Sequence, residues 1–299
     1  APERRHISDA GERAIVAGPW RLGAPTGPVR LVDERDGRVL VSQAFLPRVG
    51  RTLTMAEERA ATRSHNDPNA FWSPPILRDV INPYRVAVAG IASPRIDDAG
   101  VYPRPDVRGP SIRQEWSAFA LPTGAFRVRY TSRPERAEGW LLEAGVAMDL
   151  PADFKHARWI GLGPWPSYPG QSEHNDFGHH HLTTDDMFFD GARAGVELAI
   201  FTNEAGDGVA ILADDATLHW ERRDGALWVS HCALNAGRGT KARPTEYLVK
   251  AGSVTEFTGE FLLVPLRAGE WPAALREAFD PAIPQADKPS PYVAWYDRD

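Results

Sequence analysis

The chain holds a single cysteine, Cys232, in 299 residues. One thiol forms no intrachain disulfide, and a Cys-rich zinc site is excluded with it. Cys232 is left to be either a small buried thiol or a nucleophile. Long apolar runs are missing too. None approaches the roughly 20 residues that a membrane helix requires, so a soluble chain without a membrane partner is expected. Charge of one sign is not in excess: 34 Lys and Arg against 40 Asp and Glu leave a formal net charge of -6. Without a basic stripe for phosphates, nucleic acid is not an expected partner. No Gly-x-x-x-x-Gly-Lys-Ser/Thr loop occurs, and Gly206-Asp207-Gly208 reads as a plain hairpin turn. The chain begins Ala1-Pro2 without methionine, which suggests a processed product, an exported protein with a cleaved signal, or a piece of something longer.

Helical periodicity is scarce as well. The best segment is Trp271–Phe279, and a weaker one is Met55–Thr62. What the sequence does have is many short runs of β-branched and aromatic residues: Pro28–Asp33, Arg38–Phe45, Tyr84–Ile91, Arg113–Ala120, Phe126–Thr131 and Val196–Thr202. Further along come Gly208–Ala213, Ala216–Glu221, Ala226–His231 and Val254–Pro265. In Phe126–Tyr130 the apolar residues alternate with arginines, as a half-buried strand demands. Asp36-Gly37 and Asp224-Gly225 sit between runs as hairpin turns. The pattern predicts an all-β fold: one large antiparallel β-sandwich over residues 1–299 with one or two short helices. Residues 1–12 read as a linker and 280–299 as a Pro- and aromatic-rich tail, whose Tyr292, Trp295 and Tyr296 are expected to pack on the sandwich or on a partner. Two stretches, Ala61–Asn82 and Gly161–Gly191, lack a strand pattern and read as long, functional loops.

The most distinctive stretch is Arg158-Trp159-Ile160-Gly161-Leu162-Gly163-Pro164-Trp165-Pro166-Ser167-Tyr168-Pro169. It resembles the W-x-G-x-G-P-x-x-x-Y-P segment of the C-terminal module of glycoside hydrolase family 2 β-galactosidases, which also occurs as the small subunit of two-chain enzymes. Phe71-Trp72-Ser73-Pro74-Pro75 resembles that family's F-W-R-x-P element, and Ile15 to Phe45 its first strands. The resemblance spans roughly residues 12–266. It implies a two-sheet supersandwich, similar to that of the galactose mutarotases, and a carbohydrate setting. It also implies a partner, because the family's catalytic carboxylates lie on a separate TIM-barrel domain or large subunit. There are departures. Ser73 replaces the family's arginine, Leu77-Arg78-Asp79 stands in place of its acidic run, Gly170-Gln171 replaces the Asp-Arg after Tyr-Pro, and its late D-x-S-W tryptophan has no counterpart in Trp271 or Trp295.

Next to the distinctive stretch lies His174-Asn175-Asp176-Phe177-Gly178-His179-His180-His181, followed by Asp185-Asp186, with four of the nine histidines. Three readings are open for it: a sugar-binding or proton-transfer site, a satisfied loop cluster, or a divalent metal held by His174, His179 and His181. Adjacent histidines on an extended backbone point to opposite sides, so at most two of His179, His180 and His181 share a centre. No other cofactor is expected. Sugar recognition wants flat apolar faces and planar polar groups. Trp165, Tyr168, His174, Asp176, His179, His181 and Arg193 supply them, and Trp165 is expected to be exposed, whereas Trp140, Trp159 and Trp228 are expected in the core. For acid–base work the candidates are His179, Asp176 and Asp185; a mutarotase-like pair would be His179 or His231 with Asp176.

Three functions follow as expectations. The first is a carbohydrate-active, β-galactosidase-like module whose sugar site is completed by another domain or chain. The second is an autonomous glycosidase, lyase or mutarotase with its site in the loop 174–186. The third is a non-catalytic carbohydrate-binding or homo-oligomerisation module.

Overall fold

The computed structural model describes residues 13–24, 28–49, 87–92, 111–134, 140–141, 143–168, 172–223, 225–235, 249–250 and 256–279. The expected helix Met55–Thr62, the loop Ala61–Asn82, the Phe71–Pro75 element, residues 1–12 and the tail 280–299 lie outside the described residues.

The described residues are mostly strand, with one helix. A four-stranded sheet, β1 (Arg13–Ala17), β2 (Trp20–Ala24), β3 (Arg30–Asp33) and β4 (Arg38–Val41), runs in sequence order. The other strands of the main sheet are β5 (Gln43–Val49), β6 (Ala87–Ala92), β7 (Ser111–Ala120), β8 (Phe126–Pro134), β10 (Glu143–Leu150), β11 (His156–Gly163), β12 (Asp176–Thr183), β13 (Gly191–Thr202), β14 (Gly208–Arg223), β15 (Ala226–Asn235) and β17 (Phe257–Leu266). One path is ordered β12-β11-β13-β14-β17-β8-β7-β6; a branch leaves β14 through β15 and β10 to β5. The 16-residue β14 serves both: its first half pairs with β17 and its second half with β15. A short pair, β9 (Trp140–Leu141) with β16 (Val249–Lys250), stands apart. Pairing is antiparallel except for β6 with β7, which is parallel. The all-β sandwich expected from the sequence is the observed fold.

Local chemistry explains the elements. In β8, Phe126, Val128 and Tyr130 turn into the core, while Arg129 faces out and pairs with Glu260 of β17. Gly37, Gly206 and Gly225 take positive φ at the three hairpins that the sequence marked. The larger core fills the space between the sheets, with Trp116, Trp159 and Trp220 among its largest members. A smaller core on the outer face gathers Ile160, Leu198, Ile200, Leu262 and Val264 under helix α1 (Ala273–Ala278), which presents Leu275 and Ala278. Trp228 is not in the core as expected: it is half-buried, beneath the Arg223 guanidinium at 4.1 Å from the ring centroid. A carboxylate clamp fixes the corner leading to α1. Arg267 bonds Asp33 at 2.6 Å and Asp36 at 2.7 Å, and Arg35 bonds Asp33 and Glu270. Burial would push the Asp33 carboxyl up, but the two arginines outweigh it and hold the pKa down to about 2.

Candidate carbohydrate-binding edge

The distinctive stretch and the histidine run form two neighbouring strands. The segment expected as a loop, 174–186, is mostly strand: β12 pairs antiparallel with β11, setting Trp159 opposite His180, Ile160 opposite His179 and Arg158 opposite His181. The sequence conceals this strand because its burial is mixed along its length, leaving no alternation to read. β12 lies at one end of the strand path, an edge strand with polar side chains.

The strand period splits the histidines between two faces, as extended backbone requires. His180 leans on the Trp159 ring at 5.0 Å, its Nε2 3.1 Å from the Asp176 carbonyl. Burial outweighs that bond and pushes its pKa down. His179 meets the Phe279 ring at 5.3 Å on the outer face. His181 stacks on His156 at 5.4 Å with their ring nitrogens 3.2 Å apart, and His156 in turn meets Glu204 at 3.0 Å. Burial, then the charge of Arg158 and the neighbouring His156, push His181 down as well. His174 is exposed in the turn before β12. Among the described residues no group of three or more His, Cys, Asp and Glu side chains is placed to hold a metal ion, so His174, His179 and His181 do not form a ligand set.

The glycines of the stretch have steric causes. A Cβ at Gly161 would lie 2.9 Å from the Gly195 carbonyl oxygen; one at Gly163 would lie 2.6 Å from the His180 ring and 2.7 Å from Trp159. Gly163→Ala should therefore push His180 off Trp159 and destabilise the edge by about 1–3 kcal/mol. Thermal denaturation measures this, and an unchanged melting temperature would refute the close packing.

Beyond Gly163 the chain reaches an exposed aromatic rim. Trp165 is 42% exposed, as expected, and stands edge to face with Phe188, itself 41% exposed, at 4.1 Å between centroids. Phe177 and Met187 are exposed too. Two residues expected to contact sugar instead build the rim from beneath. Tyr168 is buried, its Oη accepting from the Ala192 N–H at 3.4 Å. Arg193 is fully buried between the Trp159 and Trp220 rings, at 5.2 and 4.9 Å. It donates to the carbonyls of Phe188 at 2.6 Å and Ala192 at 3.1 Å, and burial holds its pKa down to about 10. Ser167 completes the fixing: its N–H donates to the Ala192 carbonyl and its Oγ accepts from Ala194. Asp176 and Asp185 are exposed; Asp186 closes a turn by accepting from the Thr183 N–H and hydroxyl, and Asp190 clasps Arg222. His231 and Asp176 do not form a pair. His231 is buried in β15, four strands from β12, with Tyr130 Oη 2.9 Å from its Nδ1. Burial pushes His231 down to about 4.

Sequence reading missed a second polar centre. Arg48 of β5, Glu143 of β10 and His219 and Glu221 of β14 meet on the β5-β10-β15-β14 branch. Arg48 bonds Glu143 at 3.2 Å and Glu221 at 3.0 Å, and His219 bonds Glu143 at 2.6 Å. Arg48 and Glu143 have almost no exposure, and Cys232 is buried nearby in β15. These partners are 76 to 173 residues apart in sequence, so no motif signals them.

An all-β sandwich with an aromatic rim beside an edge strand is thus the class of module that the structure defines. Residues 96–238 match the family model of the beta galactosidase small chain, so this part of the chain is similar to such a small-chain module. The match contains the distinctive stretch and β12; the Phe71–Pro75 element lies outside it. No curated protein matches the sequence. No helix among the described residues is long and apolar enough to cross a membrane.

Proposed function

We propose that the chain is the accessory module of a β-galactosidase-like glycosidase, and that its Trp165–Phe188 rim supplies one wall of a sugar site completed by a larger catalytic chain or domain. The observation that carries this reading is the exposed edge-to-face ring pair held from below by buried Tyr168, Ser167 and Arg193. Rings fixed in this way offer apolar faces to pyranose C–H groups at little cost in side-chain entropy. The family described as the small chain of beta galactosidase supports a larger partner.

The test is galactoside binding by the full chain, followed by ligand-observed NMR. Trp165→Ala should weaken binding about ten-fold, ~1.4 kcal/mol, without altering the melting temperature. Undiminished binding in that variant would remove the rim from the sugar site. The same preparation should release no product from chromogenic β-galactosides; turnover by the chain alone would favour the autonomous enzyme.

A further inference from the structure

A groove of about 390 Å³ lies on the outer face, between helix α1 and the sheet, within the roughly 300–1,000 Å³ of small-molecule clefts. It is separate from the aromatic rim: Arg158, which lines it, is five residues up β11 from Gly163, about 17 Å at ~3.3 Å per residue.

Two features of its lining stand together. Trp271 and Phe279 supply apolar rings, and Arg158 and Arg276 supply two guanidinium groups. Among the described residues no carboxylate lines the groove. Of the acidic residues next to the lining in sequence, Glu204 pairs with His156, Asp207 with Arg38 and Glu270 with Arg35, while Glu277 follows Arg276 on α1 and is exposed without lining the groove. Neither Arg158 nor Arg276 forms an ion pair among the described residues, although Arg35, Arg38, Arg48, Arg222 and Arg267 all do. The walls are fixed in advance. The Trp271 Nε1–H donates to the Gly206 carbonyl at 2.8 Å; Asn203 Oδ1 accepts from the Gly206 and Asp207 N–H groups; and the Ala268 N–H donates to Asp207 Oδ1 at 2.9 Å. Gly206 and Gly269 take positive φ in the two turns that form the rim, and a side chain at Gly269 would meet nothing within 4 Å.

We infer that this groove is a second, acidic-sugar site: a uronate-type pyranose lies against Trp271 and Phe279 while its carboxylate is held by Arg158 and Arg276. Guanidinium groups match a carboxylate with paired, charge-assisted hydrogen bonds, and the rings accept the sugar's apolar face. A neutral sugar would leave both guanidinium groups without an anion, so the carboxylate sets the preference.

Titration of the full chain with methyl β-glucuronide and methyl β-glucoside tests the inference, with acetate and inorganic phosphate as competitors. The glucuronide should bind at least ten-fold more tightly than the glucoside. Arg158→Gln with Arg276→Gln should abolish that preference and leave the melting temperature unchanged, because both side chains are at the surface. Trp165→Ala should not alter glucuronide binding, so failure here and failure of the rim as a galactoside site are read separately. Equal affinity for the two glycosides, a preference that survives in the double variant, or displacement by acetate or phosphate at concentrations equal to the glucuronide would each overturn the inference.

Discussion

Glu143→Ala should cost the protein about 3–5 kcal/mol of folding stability, read as a lower urea midpoint at an unchanged slope. Glu143 is completely buried and is shared by Arg48 and His219. Removing it leaves a buried guanidinium with Glu221 alone and a buried imidazole without its 2.6 Å partner. Desolvation decides the magnitude: truncating one member strands the others, whereas replacing Arg48, Glu143 and His219 together with apolar residues of similar size should recover much of the loss. A cost below about 1 kcal/mol for Glu143→Ala would mean that the cluster is not desolvated as the packing indicates.

The cluster also sets a pH dependence. Burial pushes His219 down, but Glu143 and Glu221 outweigh it and raise the imidazole above its ordinary value. A histidine raised in the folded state contributes stability that is fully present below its unfolded pKa, about 6.5, and is lost as pH rises through the folded value. Glu221 runs the other way. Burial pushes it up, but His219 and Arg48 outweigh that and hold it well below the carboxylate range. Its contribution is present above its unfolded pKa, about 4.5, and is lost as the pH falls through the folded one. The gap in stability between wild type and Glu143→Ala should therefore narrow at alkaline pH, as His219 becomes neutral and no longer depends on the carboxylate. A gap constant with pH would mean that His219 is not charged in the fold.

Arg193→Met should cost about 2–3 kcal/mol and disturb the rim as well. Methionine fills much of the space between Trp159 and Trp220, and it relieves the burial of a charge without a carboxylate. Against this stand the stacking on both rings and the bonds to the Phe188 and Ala192 carbonyls. We expect the second group to prevail, because the Phe188 carbonyl loses its 2.6 Å donor, the Ala192 carbonyl keeps only the Ser167 N–H, and both indoles lose the cation between them. Since Phe188 is tethered by Arg193, galactoside affinity should fall together with stability, although Arg193 touches no ligand. Arg193→Lys should not rescue either property, because an ammonium cannot span both carbonyls while lying flat against two indoles. Rescue by lysine would reduce Arg193 to a simple buried charge.

These residues show what a sequence can and cannot reveal. The Trp159–Pro169 stretch was legible because its glycines, prolines and tryptophan sit at fixed local spacing. Tyr168 and Arg193 looked like sugar contacts for the same reason: their chemistry suits a pyranose. Burial overrode chemistry, since a tyrosine under Gly191 and an arginine between two indoles have no surface left to offer. β12 was hidden because an edge strand need not alternate.

By itself the sequence determined the all-β class, the hairpins at Gly37, Gly206 and Gly225, the C-terminal helix and the likeness to a β-galactosidase small chain, all of which rest on local pattern and spacing. Only the tertiary structure decided that His179 and His181 share a face apart from His180. It alone brought Arg48, Glu143, His219 and Glu221 together, and set Arg158 across a groove from the helix bearing Arg276. The physical reason is common to all three. Side-chain direction and non-local strand pairing follow from register and sheet order, and these are fixed by the burial of the whole core rather than by any short run of residues.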